Sequence, residues 1–292
     1  MKAFYAAMPS HTRGLLIALG GVLLVSFDAL MVRLAAAPHW DIVFWRGWLI
    51  CLTLALWMLV NRQSFTLPTR VRDRWLIIAT IILLSGNTTL FVLSVANTAA
   101  ANTVVILAAS PFFAALFSRV FLREPVRPRT WAAIFAAVAG VLVVFGGGLQ
   151  GGTGIGDFYA LLLAICLGAH LTILRRFPAV PRLPLICLSG AVAGLMAIPF
   201  ASPFALSLQS YAVVGVMGIV QMPLAMLMIA AATRYISSPE VSLCLLVETV
   251  LGPIWVWWLL SEAVPELTFI GGGVILLTVA IHGWLGLRES RA

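Results

Sequence analysis

Gly14–Leu34 reads GLLIALGGVLLVSFDALMVRL. Only Asp28 and Arg33 in it carry charge, and no wet face interrupts the apolar residues. A bilayer core takes about 20 such residues at ~1.5 Å rise each. Further runs of the same kind follow at Asp41–Val60, Trp75–Val95, Thr98–Arg119, Thr130–Leu149, Asp157–Leu174, Leu183–Phe200, Tyr211–Thr233, Val241–Leu260 and Thr268–Leu287. They are continuous rather than alternating, which excludes the strands of an outer-membrane barrel. The expectation is an all-α polytopic membrane protein with ten transmembrane helices.

Composition agrees. The chain has 292 residues, 62% of them hydrophobic and only 10% charged, against about 25% charged in a soluble domain. A net charge of +8 would suggest nucleic acid in a soluble protein. Here the basic residues fall in clusters between spans, where topology explains them, and the expected partner is lipid rather than nucleic acid. With the N-terminus inside, all of the 18 Lys and Arg except Arg33 and Arg46 lie in inner segments, whereas the outer connections carry Asp41, Asp157, Glu262 and Glu266. This predicts a multi-pass protein of an inner (plasma) membrane with both termini cytoplasmic. Lys2 and Arg13 precede a full-length span, which reads as an uncleaved first helix. Cys51, Cys166, Cys187 and Cys244 sit inside apolar runs without metal-like spacing and are expected to pack as buried thiols; neither a metal nor a cofactor is expected.

The sequence also repeats itself. At an offset of 142, Gly14 aligns with Gly156, Asp28 with His170 and Arg33 with Arg175. Near the fourth and fifth spans the offset becomes 138: Leu122-Arg123-Glu124 meets Leu260-Ser261-Glu262, Val126 meets Val264, and Thr130 meets Thr268. The expected halves are residues 1–150 and 151–292, divided at the Gly-rich connection Gly146–Gly156. Five spans per half is an odd number, so the second half enters the membrane inverted, the arrangement of many secondary transporters.

Ionisable residues at depth need a partner, a cavity or a function. Heights along the helices predict an Asp28–Arg46 ion pair between the first two spans, and place His170 and Glu248 at one level in the inner half. Glu248 is the candidate proton-sensitive gate or counter-charge for a substrate ammonium, with protons as a coupling ion. Asn87, Ser110 and Gln221 supply hydrogen bonds near the midplane, and Phe27 and Phe91 are candidates for stacking a ring. Kinks are expected at Pro111, Pro223 and Gly252-Pro253, where proline removes a backbone hydrogen bond. The short turn at Ala96-Asn97 predicts that spans three and four form one hairpin.

Several residues now carry a resemblance: Arg46 in span two, Ser110-Pro111 in span four, Leu122-Arg123-Glu124 at its end, Gly156-Asp157 opening the second half, and Arg175-Arg176 closing span six. With the five-plus-five layout, the chain resembles the drug/metabolite transporter superfamily, EamA type, and looks most similar to bacterial exporters of aromatic amino acids. That family often carries Glu-Pro in spans four and nine. Here span four keeps the proline and span nine keeps the acid, as Glu248-Thr249, while Val25-Ser26-Phe27 replaces the family's frequent Trp-Gly.

The resemblance implies two inverted five-helix repeats around a central cavity, and export of a small amphipathic metabolite, aromatic or large neutral amino acids first, by alternating access. A cationic drug is the alternative within the same fold. An enzyme acting on membrane lipids is disfavoured, because His11, His39, His170 and His282 are scattered and no catalytic cluster is evident. Gly146–Gly156 lacks the Lys-Ser/Thr ending of an ATP-binding loop.

Overall fold

The computed structural model describes residues 9–62, 71–98, 100–145, 154–178, 180–260 and 266–289. Most of the Gly146–Gly156 connection, and Ser261-Glu262 of the aligned motif, lie outside these residues, as do the side chains of Arg33 and Pro253. The described chain is helical and groups into ten units. They are α1 (Ser10–Ser26, then Asp28–Ala35), α2 (His39–Val60), α3 (Val71–Asn97), α4 (Ala100–Leu107, then Ser110–Phe117 and a π-turn at Ser118–Leu122) and α5 (Pro128–Phe145). After these come α6 (Ile155–Arg176), α7 (Arg182–Ala197), α8 (Leu208–Val216, a π-turn at Met217–Gln221, then Met222–Ala232), α9 (Ser238–Leu245, then Glu248–Leu260) and α10 (Glu266–Glu289). Six contain stretches long and apolar enough to cross a membrane: α1, α2, α3, α4, α6 and α8. The apolar parts of α5, α7 and α10 are shorter, and a break divides α9.

Side-chain size is sorted as lipid requires. Leu59, Val60, Trp75, Phe135 and Leu277 are each more than half exposed, a surface that water would not tolerate and acyl chains would. Ala18, Ala108, Ala114, Ala137, Ala160 and Ala164 are fully buried. Small residues at contacts let backbones approach, and in lipid that packing, rather than the hydrophobic effect, holds helices together. One close backbone approach is the crossing of α2 with α7. A Cβ on Gly47 would lie 2.7 Å from the Gly190 oxygen and 2.7 Å from the Gly194 nitrogen, and one on Gly190 would lie 2.7 Å from the Gly47 oxygen. Beside it the thiols of Cys51 and Cys187, both free, stand 3.7 Å apart.

The packing has a regular pattern. α2 lies on α7, α4 on α9 and α5 on α10; α3 and α4 lie on α6, while α8 and α9 lie on α1; α3 touches α7 as α8 touches α2. Exchanging each helix with the one five places along maps every one of these contacts onto another that is observed. The exchange extends to single residues. Gly14 at the start of α1 abuts Tyr235-Ile236 after α8, and Gly156 at the start of α6 abuts Asn97-Thr98 after α3.

Two expectations need correction. α3 and α4 follow one another closely, yet each rests mainly on α6 rather than on its neighbour. The packing units are therefore α3–α4–α6 and α8–α9–α1, each taking helices from both sequence halves. The second correction concerns α9, which runs unbroken across Gly252-Pro253 and breaks instead at Leu246-Val247.

Candidate functional site

Three helices are broken, and each restarts on a polar residue: Asp28 in α1, Ser110 in α4 and Glu248 in α9. At the breaks the backbone tightens to bonds three residues apart: Phe27 N–H to Leu24 O (3.4 Å), Ala109 to Ile106 (3.0 Å), and Val247 to Cys244 (3.0 Å). Hydroxyls contribute locally. Ser26 Oγ donates to Leu23 O and Thr249 Oγ1 to Leu246 O, both at 2.7 Å, a competition with the helix's own bonds that bends it. In α4 the proline at Pro111 does the same work by lacking an N–H. Pro223 likewise sits in the first turn after the π-turn of α8. Each carboxylate thus opens a helical segment, at the end where the helix dipole favours negative charge.

Asp28, Arg46, Asn87, Phe91, Met226 and Glu248 line one cavity of about 200 Å³, to which α1–α4 and α6–α9 all contribute. Arg46 Nη1 donates to both carboxylate oxygens of Asp28, at 3.1 and 3.3 Å. The two side chains are 12% and 19% exposed, so the pair is partly desolvated and neither member is readily removed alone. Glu248 shares this space with the like charge of Asp28 and the opposite charge of Arg46. Among the described residues none donates a hydrogen bond to its carboxylate. The cavity therefore holds two carboxylates and one guanidinium, already engaged by Asp28. Glu248 is the group left for a proton or a ligand cation. Phe91, 41% exposed, and Met226 give the same space an apolar wall.

The other sequence candidates act as joints between helices. Asn87 Nδ2 donates to His170 Nδ1 (3.2 Å), tying α3 to α6. Gln221 Nε2 donates to Leu24 O (2.9 Å), tying α8 to α1 where α1 breaks. Ser110 and Ser242 share a hydrogen bond of 3.0 Å between α4 and α9. Phe27 stacks on Trp255, ring centroids 4.5 Å apart, and the Trp255 indole donates to Ser26 Oγ (2.8 Å). His170, Ser110, Gln221 and Phe27 do not line the cavity. His170 bonds to Asn87, and Glu248 shares the cavity with Asn87 and the Asp28–Arg46 pair.

A second polar constellation lies at the end of the bundle that carries most of the arginines. Glu240 opens α9 in a capping box, its Oε2 accepting from Ser237 N and Oγ at 2.9 Å. Its Oε1 lies 3.1 Å from His11 Nε2 and 3.4 Å from His282 Nε2. Nearby, Arg175 Nε donates to Glu124 Oε1 (3.4 Å). Arg182, 5% exposed, donates to the carbonyls of Leu174, Phe177 and Val180, closing the last turn of α6. The sequence reading had not singled out Glu240 or Arg182, since neither lies deep in a span. The Ser237-x-x-Glu240 spacing of a capping box was the available signal.

A helical bundle with a large apolar outer surface and a charged internal cavity is the architecture of a multi-pass membrane protein. Residues 12–146 match the EamA-like transporter family, a family of transporters and not of enzymes. A solved crystal structure superposes with a TM-score of 0.81 at 18% sequence identity, covering 93% of this chain and 98% of the other. At that identity the likeness shows the shared fold alone. No curated protein sequence gives a significant match.

Proposed function

We propose that the chain is a secondary transporter of two inverted repeats, residues 1–150 and 151–292, which carries small amphipathic metabolites bearing an ammonium group out of the bacterial cytoplasm. Aromatic or large neutral amino acids are the first substrate class. The contact pattern that survives exchange of helices five places apart supports the repeats, because inverted halves of similar energy are what alternating access needs. The two three-helix units, α3–α4–α6 and α8–α9–α1, are then the rocking bodies, and the glycine crossing of α2 with α7 is the axis between them. The charge distribution of the loops supports termini in the cytoplasm.

One observation carries the substrate reading: Glu248 shares its cavity with an Asp28–Arg46 pair that already neutralises itself, beside an apolar wall of Phe91 and Met226. An ammonium group meets Glu248, and an aromatic or aliphatic side chain meets the wall. Protonation of Glu248 would release the ammonium and couple transport to pH. A cationic drug lacking a carboxylate satisfies the same site, which keeps it as the second reading.

The test is counterflow of labelled phenylalanine in proteoliposomes, competed by tryptophan, by phenethylamine and by N-acetylphenylalanine. Competition by the first two and not by the third is expected. Competition by phenethylamine alone would favour the cationic reading, and equal competition by N-acetylphenylalanine would remove the ammonium from recognition.

A further inference from the structure

At the arginine-rich end a second recess, about 330 Å³, opens between α1, α4, α5, α6 and α9. Arg127 from the α4–α5 connection, Arg129 from the first turn of α5 and Arg175 from the end of α6 line it together. Its two acids already have partners, Glu124 in Arg175 and Glu240 in the histidines. Arg127 and Arg129 interact within the protein as well, but five N–H donors on each guanidinium leave capacity for another acceptor. Arg175 uses Nε for Glu124 and Nη1 for the Thr233 carbonyl, leaving its second amino group. Ser118 lines the same recess at 1% exposure, and its Oγ has no hydrogen-bond partner.

The repeat does not require this arrangement. At the offset of 138, Arg127 and Arg129 align with Pro265 and Leu267, so the basic recess has no counterpart in the second half. Loop topology asks for positive charge on one side of the membrane, but it does not ask three guanidinium groups from two separate turns to converge on one recess. The recess lies where α1, α5 and α9 begin and α4 and α6 end.

We propose that it binds a phosphate-bearing anion, with Arg127, Arg129 and Arg175 as the cationic contacts and Ser118 as a neutral donor. A tetrahedral group with several charged oxygens uses guanidinium donors from three directions better than a planar carboxylate does. Basic pockets between transmembrane helices are a recurring way of holding anionic head groups. The two sources of that chemistry are an anionic phospholipid and a free phosphate. This proposal is independent of which solute the central cavity carries.

The test uses the full chain in uncharged detergent, titrated with dihexanoyl phosphatidylglycerol, dihexanoyl phosphatidylcholine and inorganic phosphate, with binding read by thermal stabilisation. Saturable stabilisation by the phosphatidylglycerol is expected, weakened by about tenfold or more in affinity by Arg127→Gln with Arg129→Gln. Arg62→Gln with Arg74→Gln, which lie outside the recess, should leave it unchanged. Inorganic phosphate acting as well as the lipid identifies the free ion as the ligand. No saturable binding by either, equal binding of the phosphatidylcholine, or equal weakening by the Arg62 and Arg74 changes each overturns the site. Should the double variant fail to fold, Arg127→Gln alone, at an exposed position, is expected to give a partial loss by the same readout.

Discussion

α4 and α9 break at equivalent places. Ala100–Leu107 and Ser238–Leu245 are each 8 residues long, and after each a two-residue interruption leads to Ser110 and to Glu248. The two restarts stand 138 positions apart, the offset at which the surrounding sequence aligns. The means differ. α4 is broken by Pro111, and α9 by tightened backbone bonds under the Thr249 hydroxyl. The chemistry differs more. Ser110 is 1% exposed and bonded to Ser242, whereas Glu248 faces the cavity. Backbone geometry is thus duplicated while charge is placed once. On the proposed reading, two exchangeable halves would still bind an asymmetric solute, so the frame would gain from symmetry and the site would not.

The strongest way to break the comparison is to remove the cation that serves both carboxylates. Arg46→Leu leaves Asp28 and Glu248 facing one cavity without compensation, and one-sided removal of such a pair costs roughly 3–5 kcal/mol. Thermal unfolding in detergent should show that loss. Asp28→Arg combined with Arg46→Asp should recover most of it, and no recovery would mean that the pair's orientation, rather than its attraction, holds α1 to α2. Next in size, Glu248→Gln should slow exchange of labelled substrate by about tenfold or more, ~1.4 kcal/mol in barrier, and flatten its pH response. Unchanged rate and pH response would strip Glu248 of its role and leave α9 no different in function from α4.

Much of this frame is legible in the sequence, because long hydrophobic runs report directly on helices that can cross a membrane. The Asp28–Arg46 pairing was readable too, since helical rise converts position into depth. What position along a helix cannot supply is which way a side chain turns once the helix is broken. Proline predicts a kink at Gly252-Pro253, yet α9 breaks at Leu246-Val247, where Thr249 bonds back to Leu246. The pairing of Asn87 with His170 across α3 and α6 follows from packing between helices that come from different sequence halves, and a single sequence does not show it. Ser110 and Gln221 stand out in the sequence for their hydrogen-bonding capacity. They spend that capacity on Ser242 and on the Leu24 carbonyl.

Smaller changes sharpen the contrast between the two breaks. Pro111→Ala restores an N–H to α4. If proline alone sustains that break, the helix should straighten, lowering transport while leaving thermal stability nearly unchanged. Thr249→Val removes the hydroxyl from α9 and should do less, because the tightened amide bonds remain. The least effect is expected from Ser110→Ala. Its partner Ser242 is itself fully buried, and interhelical hydrogen bonds of this kind average about 0.6 kcal/mol. Substrate exchange should be near that of the unmodified protein, with a small fall in melting temperature. A loss as large as that of Glu248→Gln would show that the α4 break takes part in binding after all, and the asymmetry between the two helices would lie only in charge.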